Sequence, residues 1–438
     1  MKKQIKTTAL AGAAVLALSG VAGAAVIDLN VYGASAQYLF WNSAAPTFLT
    51  SVRGCTATSQ AATADGKNGI TKGTGCDGTA NNTINIRYSA KASYDGIRAV
   101  SNVDPANTCA GQPGQRPMIT DVGNTALLCQ DVHLGASDVA GESFTQQSHG
   151  LLWGPMGGVQ TDRVFTGVPT TGLTAYQPVV VPFGFFANKN IQVSTCASGV
   201  HAGNLCTTNT SAADCGAVGL CSTGTISNIT REQAIQIFSG NTYAWTDFGA
   251  SYSVTGDATN TVVACFRHAG SGTHSTLDNA VMNTKWGGSL AINASTVAPI
   301  VYFNDGASDE MKCINNNANL TTPGAIGYAD GDQDLTSFTN VAALKYNGLL
   351  PRRNMIRNGA YDFFSNQWLY ENPAKTPATG ADTTKHTLIT QLNTFAGNPA
   401  NIPTSKAPYW AAKSEMVWNK ATDQTYPVYA FPTAPQTP

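Results

Sequence analysis

The chain has 438 residues, a formal net charge of -1 at neutral pH, and 42% hydrophobic residues. This length and composition are enough for two domains with hydrophobic cores, and the near-zero charge argues against nucleic-acid binding through a basic surface. Ten cysteines indicate an oxidising compartment, because disulfides persist there.

The N-terminal residues have the pattern of a secretory signal peptide. Three lysines among the first six residues precede an apolar run over residues 9–21, and small residues at 22–24 offer a cleavage site. The apolar run is too short to span a membrane, and no cysteine stands at the cleavage site. Removing residues 1–24 changes the net charge from -1 to -4, since three lysines and no acids are lost. We therefore expect a periplasmic or extracellular protein without stable membrane insertion.

Strand-like and helix-like segments alternate along the rest of the chain. Residues 26–31 alternate as a strand, and a helix begins near residues 37–40. Residues 261–266 form another strand, which leads into a turn at residues 271–273 and then a helix. Strands followed by helices predict an α/β fold with helices on both faces of the sheets.

Two helices have recognisable ends in the sequence. Thr230 and Gln233 form a capping box before an apolar helical face. Leu388 and Leu392 stand at helical spacing, and Gly397 provides a stop signal. We interpret both helices as structural.

The cysteines fall into four local groups that predict disulfides, although the sequence leaves their connectivity open. The groups are Cys55 with Cys76, Cys109 with Cys129, Cys265 with Cys313, and the cluster Cys196, Cys206, Cys215 and Cys221. The cluster lies in a polar insertion, residues 194–225, that lacks apolar periodicity and would depend on its disulfides. Four thiolates could instead bind zinc, but the cluster has no Cys-x-x-Cys pair, so we favour disulfides.

Two motifs supply groups that would bind a protonated oxyanion. Ser271, Gly272 and Thr273 offer hydroxyls and free backbone N–H groups at a helix start, and Arg267 adds a planar pair of donors. Asp138 ends the motif Leu-Gly-Ala-Ser-Asp and supplies a carboxylate. Each motif alone also fits ordinary turn and capping chemistry, so their joint presence carries the prediction.

Several motifs occur in a fixed order along the chain. They lie at residues 31–38, 93–97, 135–138, 230–240, 245–247, 267–273, 323–328 and 358–361. In this order they resemble the periplasmic phosphate-binding proteins of ABC transporters, from about residue 26 to about residue 370 with insertions between. The resemblance implies an α/β, two-lobed fold of the type II periplasmic-binding-protein kind, with hinge crossovers and disulfide-stapled loop insertions.

The resemblance also implies the limits of the lobes. Residues 25–178 and 329–438 would form the first lobe and a C-terminal tail, and residues 179–328 would form the second lobe with the Cys-rich insertion. The hinge crossovers are expected at residues 177–185 and 324–329. The ligand would lie in the cleft between the lobes, which would close around it.

The residues that match the family's phosphate contacts come from both lobes. They are Gln37, Tyr38, Ser93, Asp138, Arg267, Ser271, Gly272 and Thr273. By this resemblance Asp138 accepts a hydrogen bond from the protonated oxygen of hydrogen phosphate, and Arg267 donates charge-assisted hydrogen bonds. The remaining residues would donate hydroxyl or amide hydrogens.

The chain departs from the family pattern at three places. Gln37 stands where relatives have a hydroxyl residue, and the two residues after Ser93 replace glycines. Ala269 replaces an aspartate that pairs with the binding arginine in many relatives, so we expect Arg267 to be freer and the pocket more positive. Ser35 is an alternative donor in the first loop.

Two histidines, His268 and His274, flank the anion motif. They could suggest a metal site or a catalytic base, but their loop positions predict that both are exposed. No Gly-x-Ser-x-Gly motif surrounds Ser271, so no nucleophile elbow is predicted. We expect no catalytic residue, no metal and no cofactor.

Three functions agree with these features. The favoured one is an exported, monomeric solute-binding protein that captures phosphate and hands it to an ABC permease in the inner membrane. A cell-surface or extracellular structural protein could keep this fold and use the disulfide-stapled insertions for contacts. A secreted phosphatase is the least favoured, because the sequence shows no metal cluster and no activated serine. The sequence does not distinguish phosphate from arsenate.

Overall fold

The computed structural model describes residues 25–103, 109–144, 147–148, 163–283, 294–315, 323–380 and 383–430. The predicted signal peptide and the last residues of the C-terminal tail lie outside these ranges. Two seven-stranded β-sheets, with helices packed against them, make up most of the described chain.

The first large sheet carries the N-terminal strand of the fold near its centre. In spatial order its strands are β10 (Thr174–Tyr176), β22 (Trp368–Glu371), β7 (Leu134–Ser137), β1 (Val26–Gly33), β4 (Thr83–Ala90), β3 (Asn68–Thr74) and β2 (Ala57–Ala62). β1 is parallel to both of its neighbours, β4 and β7, and the other pairs are antiparallel. Three parallel strands therefore end side by side at one edge of this sheet.

The second large sheet is arranged around a long buried strand. Its strands are β17 (Ile300–Asn304), β16 (Val263–Arg267), β18 (Ala325–Asp330), β11 (Val179–Asn188) and β19 (Val341–Ala343) in spatial order, with β21 (Phe364–Asn366) and β23 (Ala411–Ala412) also paired to β11. β16 is parallel to β17 and to β18, whereas every partner of β11 is antiparallel to it. This sheet also brings three parallel carboxyl ends together.

In the described part of the chain, shorter strands form five small sheets in addition to the two large ones. A three-stranded sheet contains β13 (Cys221–Thr225), β12 (Ile191–Cys196) and β15 (Tyr252–Val254). The remaining pairs are β5 (Gln115–Asp121) with β6 (Asn124–Asp131), β8 (Gln147–Ser148) with β9 (Arg163–Val164), β14 (Asn228–Ile229) with β20 (Lys345–Tyr346), and β24 (Trp418–Asn419) with β25 (Val428–Tyr429).

The helices lie between and beside these strands. They are α1 (Tyr38–Ser51), α2 (Ser93–Val100), α3 (Ser211–Cys215), α4 (Arg231–Phe238), α5 (Gly272–Thr276), α6 (Ala307–Asn315), α7 (Arg353–Arg357) and α8 (Thr384–Ala396). α5 continues as a π-helical turn, Leu277–Met282. Within the described ranges, none of the helices combines the length and the apolar character that a membrane crossing needs.

Helices cover both faces of the first sheet. Val31 of β1 packs in the same core as Phe48 of α1 and Leu388 of α8. Its neighbour Tyr32 belongs to a different core, which contains Ile97 of α2. Successive strand residues point to opposite faces of a sheet, so the two cores lie on opposite sides. The α/β prediction is confirmed.

The two helices with sequence-predicted ends are confirmed. Thr230 Oγ1 accepts a hydrogen bond from the Gln233 N–H at 3.2 Å, and Gln233 Oε1 accepts one from the Thr230 N–H at 3.0 Å, which is the predicted capping box of α4. α8 ends with Gly397 as its C-terminal cap. Both helices bury apolar side chains in the main core.

β11 connects the strand ladders of the molecule, and all of its residues are buried. Residues 179–182 pair with β21 and β23, and residues 183–188 pair with β18 and β19. The segments predicted as hinge crossovers, 177–185 and 324–329, thus lie largely on β11 and β18, which are antiparallel neighbours. The lobe limits 25–178, 179–328 and 329–438 stay predictions.

The cysteines form five disulfides, and the predicted local pairs are confirmed. The bonds are Cys55–Cys76, Cys109–Cys129, Cys196–Cys215, Cys206–Cys221 and Cys265–Cys313. Three sulfurs of the insertion lie within 4.8 Å of one another, but each belongs to a disulfide and cannot act as a thiolate ligand. The zinc alternative for this cluster is therefore wrong.

Removing one disulfide of the insertion should loosen it locally. In the Cys206→Ser, Cys221→Ser double variant we expect faster amide hydrogen exchange over residues 194–225, because the small buried cluster there consists mainly of cysteines. A native disulfide of this kind contributes about 2 to 4 kcal/mol. The Cys55→Ser, Cys76→Ser variant is the matched control and should leave exchange in the insertion unchanged. Equal exchange in the first variant and the wild type would contradict the prediction.

Candidate functional site

The carboxyl ends of β1, β4 and β7 place polar groups at one edge of the first sheet. Ser35 follows β1, Ser93 follows β4, and Asp138 follows β7 directly. These strands are parallel neighbours, so the residues that follow them meet at the same edge. Ser93 Oγ accepts a hydrogen bond from the Asp138 N–H at 3.1 Å, which joins the second and third of these loops.

The second sheet presents charged groups at its corresponding edge. Arg267 is the last residue of β16, Asp305 follows β17, and Asp330 is the last residue of β18. These strands are again parallel neighbours, and Arg267 lies opposite Asn304 in the register of β16 and β17. A guanidinium and two carboxyl groups therefore come together from three separate parts of the sequence.

The two edges face each other and are in contact. A Cβ atom added to Gly272 would lie 2.3 Å from Ser93 Oγ and 2.6 Å from Asp138 Cβ, so only glycine allows this approach. The N–H of Tyr94 donates to the carbonyl of Gly270 at 3.2 Å across the same junction. The structure thus shows the two edges closed on each other.

Asp138 is almost fully buried at this junction, with 2% exposure. Its Oδ2 accepts a long hydrogen bond of 3.5 Å from Thr273 Oγ1, and its Oδ1 has no hydrogen-bond partner among the described residues. Burial and, to a lesser degree, the charge of Asp330 raise the pKa of Asp138 to about 7, against the opposing effect of Arg267. The carboxyl group can therefore exchange a proton near neutral pH.

Arg267 is buried to the same degree, with 1% exposure. Its Nη2 donates to the Asp305 carbonyl at 3.2 Å, whereas its Nε and Nη1 have no partner in the described part of the chain. Its backbone N–H donates to Tyr328 Oη at 3.2 Å, which fixes the end of β16. Two donors of a buried guanidinium are left for another molecule to satisfy.

The predicted hydroxyl residues lie around this pair. Ser93, Ser271 and Thr273 are all buried. Ser271 is the N-terminal cap of α5, and its Oγ accepts a weak bond of 3.4 Å from the His274 N–H. The structure therefore brings Ser93, Ser271, Gly272 and Thr273 together with Asp138 and Arg267.

Gln37 and Tyr38 lie in the same region, but their polar groups are engaged within the protein. Gln37 Nε2 donates to the carbonyls of Ser137 at 3.1 Å and Trp368 at 3.3 Å, and its Oε1 accepts from Trp41 Nε1 at 2.8 Å. The N–H of Tyr38 donates to the Ser35 carbonyl. The Gln37 amide thus braces the loop that follows β7.

The prediction that His268 and His274 are exposed is wrong, because both are buried at the junction of the edges. His268 packs against Phe165, with ring centroids 5.7 Å apart. His274 Nδ1 lies 2.8 Å from Tyr328 Oη, and burial lowers the pKa of His274 to about 3. A neutral imidazole in this position extends the hydrogen-bond chain that supports Arg267.

Three acidic residues near Arg267 were not identified from the sequence: Asp305, described above, Asp330 and Glu310. Asp330 directly follows the segment predicted as the second crossover, and its Oδ1 is buried without a partner among the described residues. Glu310 is fully buried, and its Oε1 accepts from the Tyr328 N–H at 3.0 Å. Burial raises the pKa of Glu310 well above its usual value. Ala269 therefore does not make the surroundings of Arg267 simply more positive, because Asp330 supplies negative charge from another strand.

A cavity of about 280 Å³ opens beside the closed junction. Ser35 and Tyr38 line it from the first sheet, and Asp305 and Asp330 line it from the second. Lys91 and Asp305 form an ion pair of 3.4 Å between the two sides. Asp330 and Asp305 therefore border open space beside the junction, whereas Arg267 and Asp138 do not line this cavity.

Known structures resemble this chain at low sequence identity and with TM-scores below 0.5. No family model matches the chain, and no curated protein matches it. Solved structures that resemble it include an ABC-type phosphate transport receptor from Vibrio cholerae, with 12% identity over 83% of this chain and 93% of that one and a TM-score of 0.41. A putative phosphate ABC transporter substrate-binding protein with bound phosphate from Clostridium perfringens has 12% identity over 83% and 92% of the chains and a TM-score of 0.43. A phosphate-binding protein from Stenotrophomonas maltophilia has 13% identity over 87% and 90% and a TM-score of 0.43.

Adding a side chain at Gly272 should hold the two edges apart. A Cβ atom of the Gly272→Ala variant would overlap Ser93 Oγ at 2.3 Å, so we expect a lower yield of zero-length crosslinks between Lys91 and Asp305. Carbodiimide treatment and peptide mass mapping give this yield. Gly224→Ala is the matched control, since no heavy atom lies within 4 Å of its added Cβ. A wild-type crosslink yield in Gly272→Ala would show that the junction tolerates the methyl group.

Proposed function

We propose that this chain is an exported solute-binding protein that captures phosphate between the edges of its two sheets. The observation that carries the proposal is the buried pair Arg267 and Asp138. The guanidinium has two donors without partners, and the carboxyl group has one acceptor oxygen without a partner, among the described residues. Leaving such groups unsatisfied is costly, so a ligand that pairs with all of them would bind strongly.

A protonated tetrahedral oxyanion fits these groups. Its unprotonated oxygens accept hydrogen bonds from Arg267 Nε and Nη1, and its protonated oxygen donates a hydrogen bond to Asp138 Oδ1. Charge-assisted hydrogen bonds of this kind contribute about 1.5 to 3 kcal/mol each. Hydrogen phosphate offers both kinds of group at neutral pH.

The other predicted contacts complete the proposal. Ser93, Ser271 and Thr273 donate hydroxyl hydrogens, and Gly272 lets the backbone approach the ligand. Tyr38 lies at the first turn of α1 and borders the cavity, while its N–H stays bonded to the Ser35 carbonyl. Gln37 is proposed to act indirectly, by holding the loop after β7 through its hydrogen bond to the Ser137 carbonyl.

We infer that the protein binds its ligand without transforming it. The proposed lobes, residues 25–178 with 329–438 and residues 179–328, would open to admit phosphate and close over it. A monomeric protein in the periplasm would then deliver the ligand to an ABC permease. Closure of the opposing edges around one small anion suits a binding protein, because the free energy of binding stabilises the closed state.

Phosphate should bind with micromolar or tighter affinity, equivalent to about -8 kcal/mol. A phosphate concentration about a hundredfold above the dissociation constant should stabilise the protein by about 2.7 kcal/mol, measured as a rise in melting temperature. Arg267→Ala should weaken binding at least tenfold, by titration calorimetry. The matched control is Arg352→Ala, which removes a guanidinium stacked on Tyr409. No change in melting temperature with millimolar phosphate would refute the proposed function.

Asp138 should make the site select phosphate over sulfate. Sulfate carries no proton, so above pH 7, where Asp138 is mostly ionised, its oxygens would meet the carboxylate without a hydrogen bond between them. Sites built around a donated hydrogen bond reject analogues that lack it by up to about 10⁴ to 10⁵. In Asp138→Asn the amide can donate, and the ratio of phosphate to sulfate affinity should fall. Equal affinities of the unaltered protein for both anions would rule out this role of Asp138.

A further inference from the structure

Asp330 occupies a position in the site that the resemblance did not mark. It ends β18, beside the end of β16 where Arg267 lies, and it is paired in register with Phe183 of β11. It also lines the cavity between the two edges. Its Oδ1 is buried and has no hydrogen-bond partner within the described ranges, as is the case for Oδ1 of Asp138.

The cation Lys406 near Asp330 is paired with another residue, so the Asp330 carboxyl group can contact a ligand. The neighbouring Asp332 forms an ion pair with Lys406 and accepts from Trp410 Nε1 at 3.2 Å, so Lys406 is engaged by that acid. Burial and the charge of Asp332 raise the pKa of Asp330 to about 6, whereas Lys406 and Arg267 lower it. Arg267 therefore acts as a counter-charge to both Asp330 and Asp138.

Other titratable groups at the junction do not balance a second negative charge. Glu310 is an acid whose pKa is raised well above its usual value by burial, so it offers no counter-charge to Asp330. His274 has a lowered pKa because it is buried, so it is neutral as well. Tyr88 is buried on the first sheet near both acids, with a pKa raised by burial. Asp305 is engaged with Lys91 and with His268 at the cavity.

We propose that Asp330 is a second acceptor for a ligand proton, so that with Asp138 it makes the site select the singly charged, doubly protonated form of phosphate. The inference rests on the proposed function, because it assumes that phosphate binds beside Arg267. A singly charged phosphate can donate one hydrogen bond to each carboxylate while its two unprotonated oxygens accept hydrogen bonds from Arg267. The doubly charged form has one proton, so one buried carboxylate would face an unprotonated oxygen of like charge.

The number of protons taken up on binding tests, without any variant, whether the complex carries the second proton. Above about pH 8 free phosphate is mostly doubly charged, so forming the doubly protonated complex takes up about one proton per phosphate. Titration calorimetry in two buffers of different ionisation enthalpy measures that number. By linkage, the affinity should then fall about tenfold per pH unit above this pH. Binding with no proton uptake and no decline would overturn the inference while leaving phosphate binding intact.

Asp330→Asn identifies the residue responsible. Its amide can donate a hydrogen bond, so the variant should bind phosphate at high pH with a decline of less than threefold per pH unit and with little proton uptake. Glu310→Gln is the matched control, a buried acid of α6 whose pKa is raised by burial, and it should keep the wild-type decline. Melting curves establish that both variants fold. The same decline in Asp330→Asn as in the wild type would overturn the role of Asp330, and an absence of phosphate binding at every pH would overturn the proposed function together with this inference.

Discussion

The arrangement of the site depends on a buried guanidinium and a buried carboxyl group that do not satisfy each other. Arg267 and Asp138 come from different sheets, and each retains polar atoms without partners among the described residues. Burying such groups costs free energy, so the rest of the fold must hold them in place. The contacts between the edges, from Gly272 to Ser93 and from Tyr94 to Gly270, keep water away from the pair.

Both charged side chains stand on backbone that is fixed from elsewhere in the chain. Ser365 Oγ donates to the Asp138 carbonyl, so a strand far along the sequence holds the loop after β7. Tyr328 Oη accepts from the Arg267 N–H at 3.2 Å, and the disulfide of Cys265 links β16 to α6 two residues before Arg267. Rigid support of this kind lowers the free energy that a ligand must spend on ordering its own site.

Local motifs made part of this site predictable from the sequence. Arg267 and Asp138 lie in short segments whose neighbours already indicate a turn after a strand, and the disulfides join cysteines that are close in sequence. Asp330 could not be identified in this way, because its place beside Arg267 follows only from the pairing of β16 with β18. The burial of His268 and His274 was missed for a similar reason. Loop residues are exposed by default, and here the opposite sheet covers them.

The change of partners along β11 determines how the edges can separate. Residues up to Pro182 pair with β21 and β23, residues from Phe183 pair with β18 and β19, and the Pro182 carbonyl accepts the Gly331 N–H at 2.8 Å. In the proposed opening of the lobes, a rotation that keeps these ladders intact would have its pivot at this point. Asp330 is paired with Phe183 beside the pivot and would move little, whereas Asp138 would swing away from it. An arriving anion would therefore first meet the groups near the pivot, Asp330 among them. Asp138 would reach the anion only when the lobes close.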